Sequence, residues 1–429
     1  MNVLAEKLNK DIEKEHPFIL EMLSDIGKEL YYPKGILSQS AEANKQALPR
    51  FNATVGIATE SGGPMYFDHI QEHFSGYAPK DIYPYAPPSG KQPLREAWKE
   101  KILQDNPSLK DKKFGLPIVT NALTHGLSIA ADLFVDKGDT VVVPNKFWGN
   151  YNLTFGLRRK GNIVTFDLFN EQNKFNTDGF KESIFQAPGQ KMIVVLNFPN
   201  NPTGYTPTEE EAETIIAVLK EAAEENRNLV VLLDDAYFGL FYEDSLKESI
   251  FGKLIGLDPR ILPVKIDGAT KENYVWGLRV GFITYGVEDQ LAAHALEQKT
   301  MGLIRGTISS GPHLSQTVIL QSLKSDRFAE EKQQKWNIMK ARYEKMKAVI
   351  YDEKYKDAWE PYPFNSGYFM CIKLRHVNAE TLRVHLLKKY EVGTIAVNDK
   401  DLRIAFSSVE KEDIEELIER IYNGVSDLT

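Results

Sequence analysis

The chain has 429 residues, of which 42% are hydrophobic and 26% charged, and its formal net charge is −8. This composition is typical of a globular protein of two or three domains, and the acidic balance argues against nucleic acid or an anionic membrane as partner. A single cysteine, a charged N-terminus and the lack of an apolar run of ~20 residues argue against disulfides, a signal peptide and a membrane span, so we expect a cytoplasmic protein.

The first elements in chain order are a helix and an irregular stretch. Val3, Leu4, Leu8 and Ile12 recur at helical spacing, which predicts an amphipathic N-terminal helix. The following stretch, from about residue 32 to residue 85, is rich in Pro, Gly and Ser and predicts irregular structure. The segment "SGKQPLREAWKEKIL" then predicts a turn that enters a helix.

Helices and apolar strands alternate in the middle of the chain. The helical segments are "THGLSIAADLFVDKGD" and "TEEEAETIIAVLKEAAEE", and Thr208 and Glu211 predict a capping box at the start of the second. The predicted strands are "TVVVPN", "NIVTFDL", "KMIVVLNFP", "NLVVLLDDAY", "ILPVKIDGATK" and "LRVGFITYG". Strands that are apolar throughout predict an α/β fold with a three-layer, mostly parallel sheet that is covered on both faces.

The pattern changes near residue 325. One long helix, "DRFAEEKQQKWNIMKARYEKMKAVIYD", is followed by the strands "SGYFMCIKL" and "DLRIAFSS" and by a closing helix, for which Ser407 and Glu410 predict a capping box. We interpret this part as a smaller α+β domain that the N-terminal helix joins. The predicted boundaries are 55–325 for the large domain and 1–54 with 326–429 for the small one.

Polar side chains follow several of the predicted parallel strands. The strand ends carry "PNKFWGNY", "NFPNNPTGY", "DDAYFGL" and "GATK", and ligands of such sheets bind beyond the carboxyl ends of the strands. An amine, a carboxylate, a phenol and an aromatic side chain therefore meet at one rim. This set suits a flat, phosphorylated aldehyde with a ring nitrogen, which is pyridoxal phosphate.

The order of these motifs resembles the class I/II aminotransferase family of fold-type I pyridoxal-phosphate enzymes. Residues 201–204 match its N-P-T-G, and Asp234 with Tyr237 matches its D-x-A-Y. Lys271, Arg279 and Arg403 match its cofactor lysine, its phosphate arginine and the arginine that binds the substrate α-carboxylate. The resemblance extends from "YAPPSGKQPLR" to "LRIAFSS" and implies an aspartate aminotransferase-like large domain.

The resemblance also implies catalytic and ring-binding roles. Lys271 would bind the cofactor as a Schiff base and then move a proton between the substrate Cα and the cofactor, which requires a pKa lowered by burial and by cations such as Arg279. Asp234 would pair with the ring nitrogen, and Tyr237 and Asn201 would bind the ring oxygen. Trp148 fits the side chain that stacks on the ring, with its neighbour in the chain, Phe147, as the competing candidate.

Further residues are implied at the phosphate. Leu123 and Thr124 match the start of the phosphate-binding helix, beside Arg279. The family often has a serine where this chain has Gly268, so Thr270 is the candidate for the missing hydroxyl. Tyr85 resembles the tyrosine that reaches the phosphate of a partner subunit, which implies a homodimer with shared active sites.

The substrate side is less specific. Gly56 fits the segment whose backbone lines that side. Arg305, with Ser309, resembles the arginine that aspartate aminotransferases place near a distal carboxylate, which would make aspartate, glutamate or 2-oxoglutarate substrates. An arginine on an interface helix is an equal interpretation of Arg305.

The motif set predicts an aminotransferase with a ping-pong mechanism, acting on L-amino acids and 2-oxo acids. A decarboxylase or carbon–sulfur lyase on the same fold is the alternative, and no motif separates the two. A regulatory protein would need a DNA-binding domain, and an inactive scaffold is opposed by the presence of Lys271, Asp234 and Arg403. His69 and His73 are spaced like a metal pair, but without a third ligand we expect a helix face and no metal site.

Overall fold

The structure is a computed structural model and describes residues 1–15, 17–33, 35–45 and 50–429. The helices of this part are α1 (Val3–Glu15), α2 (Pro17–Met22), α3 (Asp25–Glu29), α4 (Ile36–Lys45), α5 (Asp68–His73), α6 (Gln92–Asp105), α7 (Ala122–Phe134), α8 (Thr177–Phe185), α9 (Glu209–Glu224), α10 (Ile250–Leu254), α11 (Ala269–Glu272), α12 (Gln290–Thr307), α13 (His313–Lys324), α14 (Phe328–Ile350), α15 (Ala379–His385) and α16 (Ile414–Ser426).

The strands are β1 (Phe51–Asn52), β2 (Thr59–Glu60), β3 (Gly63–Pro64), β4 (Ile118–Asn121), β5 (Thr140–Pro144), β6 (Asn162–Phe166), β7 (Lys191–Leu196), β8 (Asn228–Asp234), β9 (Ile261–Gly268), β10 (Val280–Tyr285), β11 (Trp359–Pro361), β12 (Phe369–Leu374), β13 (Val392–Gly393), β14 (Ile395–Ala396) and β15 (Asp401–Ala405). Short 3-10 turns cover Pro79–Asp81, Pro107–Leu109, Trp276–Leu278, Glu353–Tyr355, Phe406–Ser408 and Lys411–Asp413, and π-helical turns cover Asn152–Leu157 and Leu386–Tyr390.

A seven-stranded sheet forms the centre of the molecule, with the strand order β4-β10-β9-β8-β7-β5-β6. The pairs among β5 to β9 are parallel, whereas β10 runs antiparallel to both β4 and β9. The predicted mostly parallel α/β sheet is therefore confirmed. Strand β4 was not predicted, because four residues directly before a helix carry too little periodicity to be recognised.

The sheet is buried on both faces. In β7, Met192 and Val194 pack into a core with residues of α8 and α9, whereas Ile193 and Val195 pack into a second core with residues of α7. Successive side chains of a strand point to opposite faces, so an uninterrupted apolar strand requires a layer of helices on each side. This is the three-layer arrangement that the sequence predicts.

A four-stranded antiparallel sheet, β11-β12-β15-β14, follows the long helix α14. The N-terminal region is joined to this part, because β1 pairs in parallel with β13 and the Gln39 side chain exchanges two 3.0 Å hydrogen bonds with the Ala396 backbone. This supports the grouping of N- and C-terminal residues in one domain, although the boundaries 55–325, 1–54 and 326–429 stay a prediction.

Two local predictions differ from the structure. The stretch predicted as irregular, 32–85, contains helices α4 and α5 and the short strands β1 to β3. The capping box at Ser407 and Glu410 was also wrong, since the Ser407 hydroxyl donates to the Ile57 carbonyl at 2.7 Å and Glu410 binds Arg342. Both side chains are therefore bound to residues that are distant in the sequence.

The Thr208–Glu211 capping box is confirmed at α9. No helix in the described ranges is long and apolar enough to cross a membrane.

Candidate active site

A cavity of about 390 Å³ lies between the ends of the parallel strands and the smaller sheet. Asp234 and Lys271 line it from the ends of β8 and β9, and Phe369 and Arg403 line it from β12 and β15. Most of the predicted site residues share it, namely Gly56, Leu123, Thr124, Trp148, Asn201, Asp234, Tyr237, Thr270, Lys271, Arg279 and Arg403. Because parallel strands end at the same edge, residues far apart in sequence meet here.

Lys271 presents its amine to the cavity from α11, directly after β9. Its Nζ donates a 3.0 Å hydrogen bond to the Gly56 carbonyl and lies 5.3 Å from the centre of the Tyr237 ring. Burial, and after it the positive charges of Arg279 and Arg403, lower the pKa of the amine to about 7 against the opposing effect of Asp234. A large share of the amine is therefore neutral at neutral pH, as a proton-transfer role requires.

Asp234 is buried at the end of β8 with one oxygen bound and one free. The Tyr151 hydroxyl donates to Oδ2 at 2.5 Å, while Oδ1 has no hydrogen-bonding partner within the described residues. Burial raises the pKa of this carboxyl to about 6, although the Tyr151 bond works in the opposite direction. A buried carboxylate oxygen without a partner indicates a donor that the chain itself does not supply.

Arg403 is 1% exposed, although it carries a charge. Its Nη1 donates to Asn201 Oδ1 at 3.0 Å and its Nη2 to the Thr54 carbonyl at 2.6 Å, while its guanidinium carbon lies 4.1 Å from the centre of the Phe369 ring. Burial lowers the pKa of Arg403 to about 10, so the side chain stays cationic at neutral pH. No carboxylate of the described chain pairs with it, which leaves its charge available for an anionic ligand.

One end of the cavity is suited to an anion. Helix α7 begins at Ala122, so the first backbone N–H groups of Leu123 and Thr124 lie at the N-terminus of a 13-residue helix, where anions are favoured. Arg279 lines the same cavity, and its Nη1 donates to the Trp276 carbonyl at 3.2 Å. These groups together supply backbone donors, a hydroxyl and a cation.

The structure explains why this chain has Gly268 where the resemblance leads us to expect a serine. A Cβ added at Gly268 would lie 2.6 Å from the Val280 carbonyl oxygen and 2.7 Å from Gly281 Cα. The neighbouring strand β10 therefore leaves no room for a side chain. Thr270 lines the cavity and its Oγ1 lies 3.5 Å from the same carbonyl, so its hydroxyl and that of Thr124 are the available substitutes.

Two predicted residues do not reach this cavity. Tyr85 is 91% exposed and Arg305 is an exposed residue of α12 that donates a hydrogen bond to Ser309. Neither lines the cavity of its own chain. Their predicted roles depend on a partner subunit and stay predictions.

The positions of Trp148 and Phe147 distinguish these two candidates for the side chain that stacks on the ring. Trp148 lines the cavity with Lys271, whereas Phe147 does not and instead lies parallel to the Tyr151 ring with a centroid distance of 6.1 Å. This favours Trp148 for contact with a ring in the cavity.

Sequence reasoning missed several residues of the site. Tyr151 and Asn197 both hold Asp234, the latter through a 2.7 Å bond from its side chain to the Asp234 carbonyl. Asn197 directly follows β7, so the strand-end rule could have identified it. Ile36 and Trp276 also line the cavity, and no local sequence signal points to either of them.

Other buried polar groups have structural partners. Asp235 binds Lys265 and accepts a 2.7 Å bond from Ser249. His69 lies between Glu331 at 2.8 Å and Ser322 at 2.9 Å. Within the described ranges no group of three His, Cys, Asp or Glu side chains could hold a metal ion.

Residues 70–421 match the family model described as "Aminotransferase class I and II". The chain belongs to this family. It is 23% identical over 378 residues to the cytoplasmic aspartate aminotransferase of Caenorhabditis elegans, covering 84% of this chain and 91% of the relative.

The fold of this aminotransferase is shared with solved structures. An aminotransferase from Anaerococcus prevotii superposes with a TM-score of 0.83 at 22% identity, covering 94% of this chain and 98% of the other. A kynurenine aminotransferase from Pyrococcus horikoshii superposes with a TM-score of 0.79 at 16% identity, covering 96% and 98%. The predicted aspartate aminotransferase-like fold is thereby confirmed.

As a member of this family, the protein is a pyridoxal-phosphate-dependent aminotransferase acting on amino acids and 2-oxo acids. The residues of the cavity fit that cofactor. The free Oδ1 of Asp234 suits a protonated ring nitrogen, the Lys271 amine suits an aldehyde, and the start of α7 suits a phosphate.

Proposed function

We propose that this aminotransferase takes the amino group of an L-amino acid and delivers it to a 2-oxo acid in two half-reactions of a ping-pong cycle. The observation that carries the proposal is the meeting, in one cavity, of a Lys271 amine whose pKa is lowered to about 7, the free carboxylate oxygen of Asp234 and the buried Arg403 cation. These are a base, an electrostatic partner for a cationic ring and a receptor for a carboxylate.

The first set of roles concerns cofactor binding. Pyridoxal phosphate supplies, when bound, an aldehyde that captures amino groups and a ring that accepts electron density from the substrate Cα. Asp234 Oδ1 would accept a hydrogen bond from the ring nitrogen, and Tyr237 and Asn201 would bind the ring oxygen. Trp148 would contact the ring.

The start of α7 would hold the phosphate. Leu123 and Thr124 would donate backbone hydrogen bonds, Thr270 would add a hydroxyl and Arg279 would add a charge. Gly268 contributes close backbone approach instead of a side chain.

The second set of roles concerns the substrate. Arg403 binds the α-carboxylate through its guanidinium, which is already fixed by Asn201 and Thr54. The neutral Lys271 amine removes the proton from the substrate Cα. The Gly56 carbonyl accepts a 3.0 Å hydrogen bond from this amine. A base at Cα favours amino transfer over loss of CO2, in which the Cα proton is retained.

We further infer a homodimer with shared sites. The nearly complete exposure of Tyr85 supports a role for its hydroxyl at the phosphate of the partner subunit. Arg305, also exposed, is the corresponding candidate for a distal carboxylate, so that aspartate, glutamate or 2-oxoglutarate would be accepted across the interface. A cytoplasmic location agrees with the single buried cysteine.

A screen of L-amino acids with 2-oxoglutarate as acceptor tests the proposal, with glutamate formation as the readout. We expect transfer in the wild-type holoenzyme, none in Lys271→Ala and full activity in Lys220→Ala, a lysine that is half exposed on α9. Release of CO2 or thiol without glutamate formation would instead establish the alternative lyase chemistry.

The Arg305→Ala variant tests the dicarboxylate role. We expect a loss of kcat/KM for aspartate and 2-oxoglutarate with unchanged cofactor absorbance. An unchanged rate with dicarboxylates would rule out a distal-carboxylate role for Arg305.

A further inference from the structure

Lys271 lies on α11, a helix of only four residues (Ala269–Glu272). A single helical turn is unstable by itself, because the nucleation of a helix is unfavourable. The conformation of α11, and with it the position of the Lys271 amine, therefore depends on contacts with other parts of the chain. Tyr368 and Glu272 make such contacts, and neither side chain lines the cavity.

Tyr368 directly precedes β12 and is fully buried. Its hydroxyl donates a 2.8 Å hydrogen bond to the Lys271 carbonyl. Its ring packs edge-on against the Tyr237 ring, with 5.5 Å between the two centroids. One side chain thus contacts both the residue that carries the amine and the tyrosine ring beside that amine.

Glu272 directly follows Lys271 and is 5% exposed. Its Oε2 lies 2.8 Å from the Lys101 amine of α6, and its Oε1 binds the Lys332 amine of α14. Burial alone would raise the pKa of Glu272, but the charges of the two lysines lower it below its ordinary value, so the carboxylate is ionised at neutral pH. A buried ionised group is costly to separate from its partners, so this contact fixes the end of α11 to α6 and α14.

The chain leaves room for this carboxylate at Gly239. A Cβ added at Gly239 would lie 2.7 Å from Glu272 Oε1, the oxygen that binds Lys332. A side chain at position 239 would therefore displace the ion pair. The segment 234–239, which supplies Asp234 and Tyr237 to the cavity, thus also accommodates the contact behind it.

The Glu272 carboxylate is bound away from the Lys271 amine. The charges that shift the pKa of that amine are those of Arg279, Arg403 and Asp234, whereas the Glu272 carboxylate is bound to its two lysines. We therefore expect Glu272 to act on the amine through the position of α11 and not through its charge.

We propose that Tyr368 and Glu272 are positioning residues that hold α11, and thereby the Lys271 amine, within reach of the substrate Cα. This inference rests on the proposed aminotransferase function. We name Tyr368, Glu272, Lys101 and Lys332 the α11 clamp. A displacement of about 1 Å can cost a reacting group roughly 100-fold in rate, so loss of one clamp contact should slow proton removal and leave substrate binding unchanged.

The test uses the holoenzyme in single-turnover reactions with L-glutamate, the amino acid that is formed from the acceptor 2-oxoglutarate. Cofactor absorbance at increasing glutamate concentrations gives the maximal rate and the apparent dissociation constant of the substrate. We expect Tyr368→Phe and Lys332→Met to lower the maximal rate roughly tenfold and to change the dissociation constant by less than about twofold. Lys332→Arg keeps the charge and should retain most of the wild-type rate.

A second readout does not depend on turnover. The apoprotein is mixed with pyridoxal phosphate, and the change in cofactor absorbance gives the rate at which the Lys271 amine captures the aldehyde. We expect capture to be roughly tenfold slower in Tyr368→Phe and Lys332→Met, because the displaced amine must find the aldehyde from a less favourable position.

Each clamp variant has a matched control. Tyr285→Phe removes another buried hydroxyl, which is hydrogen-bonded to the Thr300 hydroxyl at 2.6 Å. Lys345→Met removes another α14 lysine, which is paired with Glu415 at 2.5 Å and is 30% exposed, as against 29% for Lys332. Both controls should keep the wild-type maximal rate and the wild-type capture rate.

A wild-type maximal rate or a wild-type capture rate in either clamp variant would overturn the inference, as would equal losses in the controls. A raised dissociation constant for L-glutamate with an unchanged maximal rate would also overturn it, since the contact would then serve substrate binding. If the wild type transfers no amino group from L-glutamate, the proposed function fails, and the capture rate still tests the α11 clamp.

Discussion

The Tyr151 hydroxyl donates a 2.5 Å hydrogen bond to Asp234 Oδ2, and the second carboxylate oxygen has no partner among the described residues. Tyr151 is 1% exposed, so this bond orients the carboxylate from inside the core. Oδ2 is thereby bound by the protein, and Oδ1 remains able to accept a hydrogen bond from a ligand in the cavity.

Tyr151→Phe should weaken cofactor binding. In the wild type the Tyr151 bond lowers the pKa of Asp234. Its removal therefore raises that pKa above about 6, so that more of the carboxyl is protonated at neutral pH. The bond also exists without cofactor, so only part of its ~1.5–3 kcal/mol enters binding, and we expect a dissociation constant up to roughly tenfold higher, with the larger defect at pH 6 than at pH 8.

The measurement is an absorbance titration of the apoprotein with pyridoxal phosphate. Tyr285→Phe is the matched control. It also removes a buried tyrosine hydroxyl, which is hydrogen-bonded to the Thr300 hydroxyl at 2.6 Å and does not line the cavity. Equal affinities for both variants and the wild type would contradict the role of Tyr151.

Lys271→Met should stabilise the apoprotein, and more so at low pH. The folded pKa of about 7 lies below the ordinary value of 10.5, so the unfolded chain binds more protons between these limits and the wild type gains stability as pH rises. The advantage of the variant is largest below pH 7 and shrinks by up to about 1.4 kcal/mol per pH unit toward pH 10.

Urea unfolding of both apoproteins at pH 6, 8 and 9.5 gives this difference in the free energy of unfolding. A difference that stays constant or grows with pH would show that the Lys271 amine is not held in its neutral form by the fold.

Gly268→Ser should destabilise the protein without improving cofactor affinity. The new Cβ would lie 2.6 Å from the Val280 carbonyl oxygen, so β9 and β10 must separate. Overpacking of this kind costs about 1–3 kcal/mol. Gly277→Ser is the control, because nothing lies within 4 Å of a Cβ added there. Thermal unfolding that is equal in the two variants would argue against the steric account.

Arg403→Lys should raise KM for amino acids and leave the cofactor absorbance unchanged. Lysine keeps the charge but loses the two-point geometry, for which we expect a roughly 10- to 100-fold increase in KM. Steady-state kinetics provide KM, and Arg50→Lys on the surface is the control. An unchanged KM would place the α-carboxylate elsewhere.

Tyr85→Ala should weaken cofactor binding if the partner subunit supplies this hydroxyl. In mixed dimers of Tyr85→Ala and Lys271→Ala chains, one site would have both Lys271 and Tyr85 intact, so activity should return on mixing. Tyr83→Ala, whose side chain is 79% exposed, is the control. Mixed subunits that stay as inactive as Lys271→Ala alone would contradict shared sites.

Much of the fold followed from local sequence patterns. Uninterrupted apolar strands can be satisfied only when both faces of a sheet are covered, so the three-layer sheet was predictable from segments such as "KMIVVL". The ends of parallel strands meet at one edge, and this rule was sufficient to bring Asn201, Asp234 and Lys271 together in the prediction.

Other features depended on contacts between distant residues. The capping box predicted at Ser407 does not form, because the Ser407 hydroxyl donates to the carbonyl of Ile57, which is 350 residues away in the sequence. Strand β4 and helix α4 were missed because short segments take their conformation from the elements they pack against.

The sequence by itself determined the chemistry of this protein, since the identity and order of its strand-end residues are typical of one cofactor. The tertiary structure decided what those residues experience. Burial beside two arginines sets the pKa of Lys271, the Tyr151 bond selects which Asp234 oxygen is free, and β10 excludes a serine at Gly268. Desolvation, orientation and steric exclusion arise from neighbours in space, and no spacing along the chain encodes them locally.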